Sequence, residues 1–212
     1  PRPNLTEITR GDPPFTEVLE SRRSHRRFGD APLTLLQVSE CLFRSARIRS
    51  VKEPNVESHY ETSSRPYPSG GACYPLEVYV AVDRCTGLEA GLYHYDSLRH
   101  VLSPCGAHAA VGELLDDARI ATAGSETAPA LVILSARFAR VSWKYRSIAY
   151  ATILKDVGVL LQTMYLVTTA MGLAGCAVGA GNATLFARAI GTEWHEESSV
   201  GEFLIGSAHA SA

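Results

Sequence analysis

One stretch, residues 143–181 (WKYRSIAYATILKDVGVLLQTMYLVTTAMGLAGCAVGAG), limits what this chain can fold into more than any other. From 146 to 171 it reads as one helix of about 39 Å at 1.5 Å per residue, apolar almost all round. Its polar side chains fall in a narrow set that includes Thr152, Lys155, Asp156 and Thr163. Such a helix has to be buried. Both of its ends carry unusual chemistry: Lys144 and Tyr145 stand side by side at the start, and a glycine-rich turn over 172–181 follows the stop. The expectation is a central core helix with a site at one or both ends.

The chain is long enough to surround such a helix. A domain of 212 residues buries roughly 70% of its unfolded surface, and one domain over residues 1–212 is expected. A 20% share of charged residues beside 46% hydrophobic ones fits a folded chain rather than a disordered one. The net charge of −2 lacks the broad basic excess of nucleic-acid and anionic-membrane binders, so neither partner is expected. Lys155 and Asp156 make the middle of the long helix too polar for a membrane span. The five cysteines, Cys41, Cys73, Cys85, Cys105 and Cys176, are odd in number and form no CxxC pair, which points away from a disulfide framework or a zinc knuckle. The seven histidines lack HExxH-type spacing, so no metal is expected. The polar, proline-rich start has no signal-peptide pattern, and the expected location is cytoplasmic.

A short helix over 15–22 leads into RRSHRRF, and Thr34 and Gln37 have capping-box spacing for a second helix ending near Ala46. Residues 47–64 are polar without a period and read as a loop or lid. RPYPSGGACYP forces an irregular backbone able to approach a ligand closely, and LEVYVAVD continues it as a strand. GLYHYDSLRHVL reads as a hairpin around Asp96 and Ser97, 107–119 as a helix, and ALVILSA from Ala130 as a central strand. A small helix over 185–190 and a last strand, VGEFLIG, complete the order. Helices around a group of strands without regular βαβ alternation indicate an α+β fold.

Three constellations can carry chemistry. Arg22, Arg23, Arg26 and Arg27 around Ser24 concentrate charge and donors at a helix end, which suits a phosphate monoester; a solvated basic patch or a nucleic-acid contact is the alternative. The turn from Pro68 to Ala72 offers backbone N–H groups without bulky side chains, so a flat ring could lie against it. The glycines at 172, 175, 179 and 181 exceed what one helix stop needs, yet they follow a helix and lack GK[ST], which excludes the P-loop and the dinucleotide fingerprint. Lys144-Tyr145 is the sharpest feature: an ammonium stabilises a nearby phenolate, and a lysine in a first helical turn opposes the macrodipole, a local violation of the kind functional sites show. A packed tyrosine beside a snorkelling lysine is the bland alternative.

Together these segments resemble the nitroreductase superfamily of flavoproteins, and within it the SagB/McbC type of azoline dehydrogenase. RRSHRRFGDAPLTLLQVSECL is similar to that family's phosphate segment and helix, RPYPSGGACYPLEVYVAV to its flavin-ring turn, LKDVGVLLQTMYLVTTAMGLAGCAVGAG to its central helix and flavin-edge loop, and VGEFLIG to its closing strand. The resemblance implies a nitroreductase-like FMN-binding fold with an antiparallel or mixed central sheet flanked by helices. It implies that Arg22, Arg23, Ser24 and Arg26 hold the FMN phosphate, that Pro68, Ser69, Gly70 and Gly71 lie along the flavin, and that Val178, Gly179 and Ala180 line its reactive edge. It further implies that Lys144 and Tyr145 are catalytic, in the oxidation of a thiazoline or oxazoline, in a peptide or carrier-bound substrate, to a thiazole or oxazole. A homodimer with FMN at the shared interface follows, together with cyclodehydratase or synthetase partners. The rival expectations are an NAD(P)H-dependent nitro or quinone reductase on the same fold and a non-catalytic flavin-binding subunit of a synthetase complex.

Overall fold

The structure, a computed structural model, describes residues 1–56 and 59–209. It opens with helices α1 (Leu5–Gly11) and α2 (Phe15–Ser21), strand β1 (Leu33–Thr34) and helix α3 (Leu35–Ala46). Strands β2 (Ser50–Lys52), β3 (Thr62–Ser64), β4 (Leu76–Val82), β5 (Cys85–Thr86), β6 (Gly91–Asp96) and β7 (Val101–Pro104) follow. Then come helix α4 (Ala110–Ala121), strand β8 (Ala130–Arg137), helices α5 (Ala139–Ser142) and α6 (Ala149–Ala170), strand β9 (Leu173–Val178), helix α7 (Ala183–Ile190) and strand β10 (Glu197–Ser207). A six-stranded sheet in the order β7-β6-β4-β8-β10-β9 forms the middle layer, with every pairing antiparallel. The fold is α+β.

Strand side chains alternate between faces, and helices cover both of them. Val78, Val80 and Val82 of β4, Val132 and Leu134 of β8 and Phe203 and Ile205 of β10 pack with Leu42 of α3 and Ile153, Leu160 and Met164 of α6. Tyr79, Ala81, Leu131, Ile133 and Leu204 pack on the other side with Leu114 and Leu115 of α4 and Phe186 of α7. This double cover explains why Tyr79 and Ala81, the residues that alternate with the β4 valines, are buried too.

Local chemistry sets several boundaries where the sequence placed them. At α3 the Thr34 hydroxyl accepts from the Gln37 N–H at 3.2 Å while the Thr34 N–H donates to Gln37 Oε1 at 2.9 Å, which satisfies two of the donors that every helix start leaves orphaned. In the β6–β7 hairpin the Asp96 carboxylate accepts from the N–H groups of Leu98 and Arg99, both at 2.9 Å.

Three expectations need correction. Residues 47–64 are not one loop: β2 and β3 pair as an antiparallel ribbon, with residues 57 and 58 of that stretch outside the described residues. The glycine-rich run after the long helix is a turn only at its ends, because Leu173–Val178 is β9, an edge strand paired with β10. Gly175 makes this close fit possible, since a Cβ there would lie 2.6 Å from the Phe203 ring and 2.7 Å from Thr168 Oγ1. Lastly, α6 is not buried all round. Its 22 residues, about 33 Å of helix, bury Ile153, Asp156, Val157, Leu160, Met164, Val167 and Thr168, whereas Tyr150, Leu154 and Val159 stay 58%, 44% and 36% exposed. Among the described residues no helix is long and apolar enough to cross a membrane.

Candidate functional site

The site grows outward from a carboxylate in the core. Asp156 sits on the inner side of α6, 4% exposed, where an unsatisfied charge would be very costly. It is satisfied by the proline-glycine turn: the Ser69 hydroxyl donates to it at 2.5 Å and the Gly70 N–H at 3.0 Å. Ser69 Oγ in turn accepts the Tyr74 N–H at 2.9 Å, so both ends of the turn are tied to one helix position. The packing leaves no room for side chains. A Cβ on Gly70 would run into Thr152 Cγ2.

The next residues have an unusual backbone. Gly71, Ala72 and Tyr74 all have left-handed φ values, +60°, +54° and +43°, a conformation that costs about 1–2 kcal/mol for a residue with a side chain. It turns Gly71 toward Lys144 and Tyr145: a Cβ on Gly71 would meet the Tyr145 hydroxyl and lie 2.9 Å from Lys144 Nζ. Lys144 Nζ donates to the Gly71 carbonyl at 3.2 Å and to the Tyr60 hydroxyl at 2.8 Å. The hydrogen bond to Tyr60 raises the lysine's pKa; slight burial lowers it, and the Tyr60, Tyr145 and Cys73 side chains add to the rise.

Lys144 and Tyr145 do not lie in the first turn of the long helix. Their N–H groups both donate to the Val141 carbonyl, at 3.0 and 2.8 Å, which closes α5 into a tight bend six residues wide before α6 begins at Ala149. The macrodipole conflict inferred from the sequence therefore does not arise. Instead α5 is anchored to the sheet by Arg140, whose Nη2 meets Glu77 Oε1 at 2.6 Å. Burial alone would raise the Glu77 pKa, but a hydrogen bond from His94 and the guanidiniums of Arg140 and Arg137 outweigh it and bring it to about 2.

The remaining predicted residues gather elsewhere on α6. Arg22 lies over the Tyr165 ring at 5.1 Å, Ser24 Oγ is 2.7 Å from the Tyr165 hydroxyl, and that hydroxyl accepts the Ala177 N–H at 2.8 Å. The His25 N–H donates to Gly175 O at 2.9 Å, which fastens the arginine segment to β9. Among the described residues Arg22, Arg23 and Arg26 form no ion pair with a carboxylate, so their charge is available to an anion. Val178 is buried, whereas Gly179 and Ala180 face solvent, and nothing lies within 4 Å of a Cβ placed on Gly179. Gly181 rests directly on the carboxylate of buried Glu202.

The predicted residues thus form two groups in one chain. One holds Pro68, Ser69, Gly70, Gly71, Lys144 and Tyr145 around Asp156; the other holds Arg22, Ser24 and the β9 end around Tyr165. Nine residues of α6 separate the two anchors, about 14 Å along the axis. Arg23 is exposed beside the second group. The anchors Asp156 and Tyr165, and Tyr60 above Lys144, were not among the candidate residues. Asp156 did carry a signal, a lone carboxylate in an otherwise apolar helix; Tyr60, in a polar stretch without period, carried none.

Comparison with known proteins agrees with this architecture. The nitroreductase family profile matches residues 19–207, and the chain belongs to the nitroreductase family. MJ1384 of Methanocaldococcus jannaschii, named as a nitroreductase, is 32% identical over 178 residues, 84% of this chain and 82% of that one. The trifolitoxin-processing protein TfxB of Rhizobium leguminosarum bv. trifolii is 31% identical over 123 residues, 56% of this chain, and the match spans only 33% of TfxB. Among solved structures, a nitroreductase-type protein from Ralstonia eutropha JMP134 superposes with a TM-score of 0.76 at 23% identity, over 100% of this chain and 89% of that one. The E. coli microcin synthetase McbBCD complex with truncated pro-MccB17 bound gives 0.67 at 21% identity, over 90% of this chain and 72% of that one. A nitroreductase-type protein in complex with FMN from Desulfovibrio desulfuricans gives 0.61 at 16%, over 95% and 91%. At these identities the structural likeness establishes the fold.

Proposed function

We propose that this chain is an FMN-dependent dehydrogenase that oxidises a thiazoline or oxazoline in a peptide or carrier-bound substrate to the aromatic ring. The observation that carries the reading is the convergence of Lys144 and Tyr145 on Gly71, an exposed glycine of the proline-glycine turn. The residues fit FMN: Gly70 and exposed Gly71 present bare backbone to an approaching ring, and Arg22, Arg23 and Arg26, without a carboxylate partner among the described residues, stand near Ser24 and offer a phosphate several charge-assisted bonds. FMN, when bound, would supply the two-electron acceptor. Tyr145 would take the ring proton, with the Lys144 ammonium as its charge partner, and the kinship with TfxB supports a processed peptide as substrate.

The homodimer belongs to this proposal. Ala151, Leu154, Lys155, Gly158, Val159 and Gln162 form the open stripe of α6. Two such stripes packed antiparallel would set the Asp156 group of one protomer against the Tyr165 group of the other, which would complete one site from two half-sites about 14 Å apart along each helix. Subunits of a synthetase would be further partners.

The test is Tyr145→Phe. FMN stays bound, and azoline turnover falls by about 10²-fold or more, the usual worth of a placed base; undiminished turnover sinks the assignment. The 32% identity to MJ1384 favours a second reading, an NAD(P)H-dependent nitro or quinone reductase. Steady-state NADPH oxidation with a quinone, and none of the azoline turned over, would select it.

A further inference from the structure

We propose that Tyr60 is a positioning residue for Lys144, holding its ammonium over Gly71 beside the Tyr145 hydroxyl. The inference rests on the reading of Lys144 and Tyr145 as the proton-accepting pair, and it adds a residue from the connection between β2 and β3.

The geometry is specific. An exposed lysine has a flexible four-carbon stem, and nothing in its own backbone chooses where Nζ lies. Here two donors of Nζ are spent on the Gly71 carbonyl and the Tyr60 hydroxyl, at 3.2 and 2.8 Å. These two acceptors bracket the ammonium from different partners, the turn on α6 and the connection between β2 and β3. Tyr60 is itself fixed edge-on against Trp143, with ring centroids 5.1 Å apart, and Trp143 Nε1 donates to the Arg140 carbonyl at 3.0 Å. Arg140 is the residue that the Glu77 carboxylate holds to the sheet. A chain of contacts therefore runs from the sheet through α5 and Trp143 to Tyr60 and ends on Nζ. The hydroxyl carries the hydrogen bond, whereas the ring packs on Trp143 and lies under Nζ at 5.3 Å from its centroid, so one substitution removes the bond and keeps both ring contacts.

Tyr60→Phe keeps the ring on Trp143 and removes the acceptor. Among the described residues, Tyr145 and Cys73 are then the titrating side chains that still raise it. The chain has three lysines, at 52, 144 and 155, so each can be followed by NMR of 13C-labelled lysine. In Tyr60→Phe the Lys144 titration should move to lower pH, because the bond that raises it is gone, while Lys52 and Lys155 stay put. The basic limb of azoline turnover in the FMN-loaded protein should move down with it, and FMN affinity should not change. An unmoved Lys144 titration overturns the proposal, and so does a moved titration with an unmoved turnover profile. Tyr145→Phe separates this from the parent reading: full turnover there removes the proton-acceptor role of Tyr145, whereas the Lys144 titration in Tyr60→Phe judges the Tyr60 contact alone.

Discussion

Replacing Asp156 tests the link between the core and the candidate site. Asp156→Ala removes the acceptor for the Ser69 hydroxyl and the Gly70 N–H. Each hydrogen bond to a charged group contributes about 1.5–3 kcal/mol, and water reaching the half-buried turn recovers part of both, so the expected loss is about 3 kcal/mol. That is a large part of a typical 5–15 kcal/mol. Asp156→Asn keeps the shape but presents an N–H₂ to one of the two donors, and about 1–2 kcal/mol should go. Lys155→Ala, an exposed neighbour on the same helix, should stay within about 0.5 kcal/mol of the parent. Urea unfolding at neutral pH reads these differences as midpoints with an unchanged slope. Flavin fluorescence titration adds a second readout: if loosening the turn costs the FMN complex about 1.4 kcal/mol, affinity drops about tenfold. An Asp156→Ala protein that unfolds at the parental midpoint would refute the idea that this carboxylate holds the turn.

Two further carboxylates predict opposite pH behaviour. Burial raises the pKa of Glu202 to about 7, against a hydrogen bond from Ser199 that lowers it, with Asp117 adding to the rise; its contribution to stability is whole below pH 4.5 and is lost as the pH rises toward and through about 7. At about 1.4 kcal/mol per tenfold change in proton affinity this is about 3 kcal/mol, so Glu202→Gln should flatten that decline in urea unfolding measured from pH 5 to 8, and an equal decline in both proteins would contradict it. Glu77, held at about 2, behaves in the reverse sense: its contribution is present above pH 4.5 and lost as the pH falls through about 2, again about 3 kcal/mol. Glu77→Gln should therefore already be destabilised at pH 7, and acidification to pH 3 should cost it less than it costs the parent.

How much of this was legible depended on whether the controlling physics is local. The α3 boundary follows from Thr34 and Gln37 three residues apart, and β4 and β8 follow from their valine-rich runs, since capping and burial periodicity are written in neighbouring residues. The β9 strand was hidden because the glycines at 172, 175, 179 and 181 look like a turn; the segment is a strand through its pairing with β10, and Gly175 is there because Phe203 on β10 and Thr168 on α6 leave no room for a side chain. The exposed stripe of α6 was hidden as well, since apolar residues on an exposed helix face read the same as those on a buried one. Within the site, Lys144, Tyr145 and the proline-glycine turn stood out as unusual residue pairs, but the contacts that fix them, Ser69 to Asp156 and Lys144 to Tyr60, join positions 87 and 84 residues apart. No window along the chain contains both partners.

The same long-range contacts explain why the turn can hold its unfavourable backbone. Ala72 and Tyr74 in left-handed conformations cost about 1–2 kcal/mol each, an amount that an isolated turn would relax away. Asp156 offsets it with two charge-assisted bonds of similar size, and Tyr74 reinforces them by donating its hydroxyl to the Tyr67 carbonyl at 3.2 Å while its ring stacks edge-on against Tyr67 at 5.5 Å. Both tyrosines are buried, so straightening the turn would also open part of the core. The carboxylate's own helix is fixed by Ile153, Leu160 and Met164 against the sheet. Strain at Ala72 and Tyr74 is thus balanced by the core packing beneath the turn. A rigid helix that faces the sheet on one side and carries the turn on its flank positions the open face of Gly71 more firmly than a loop could, and it does so with a single buried charge.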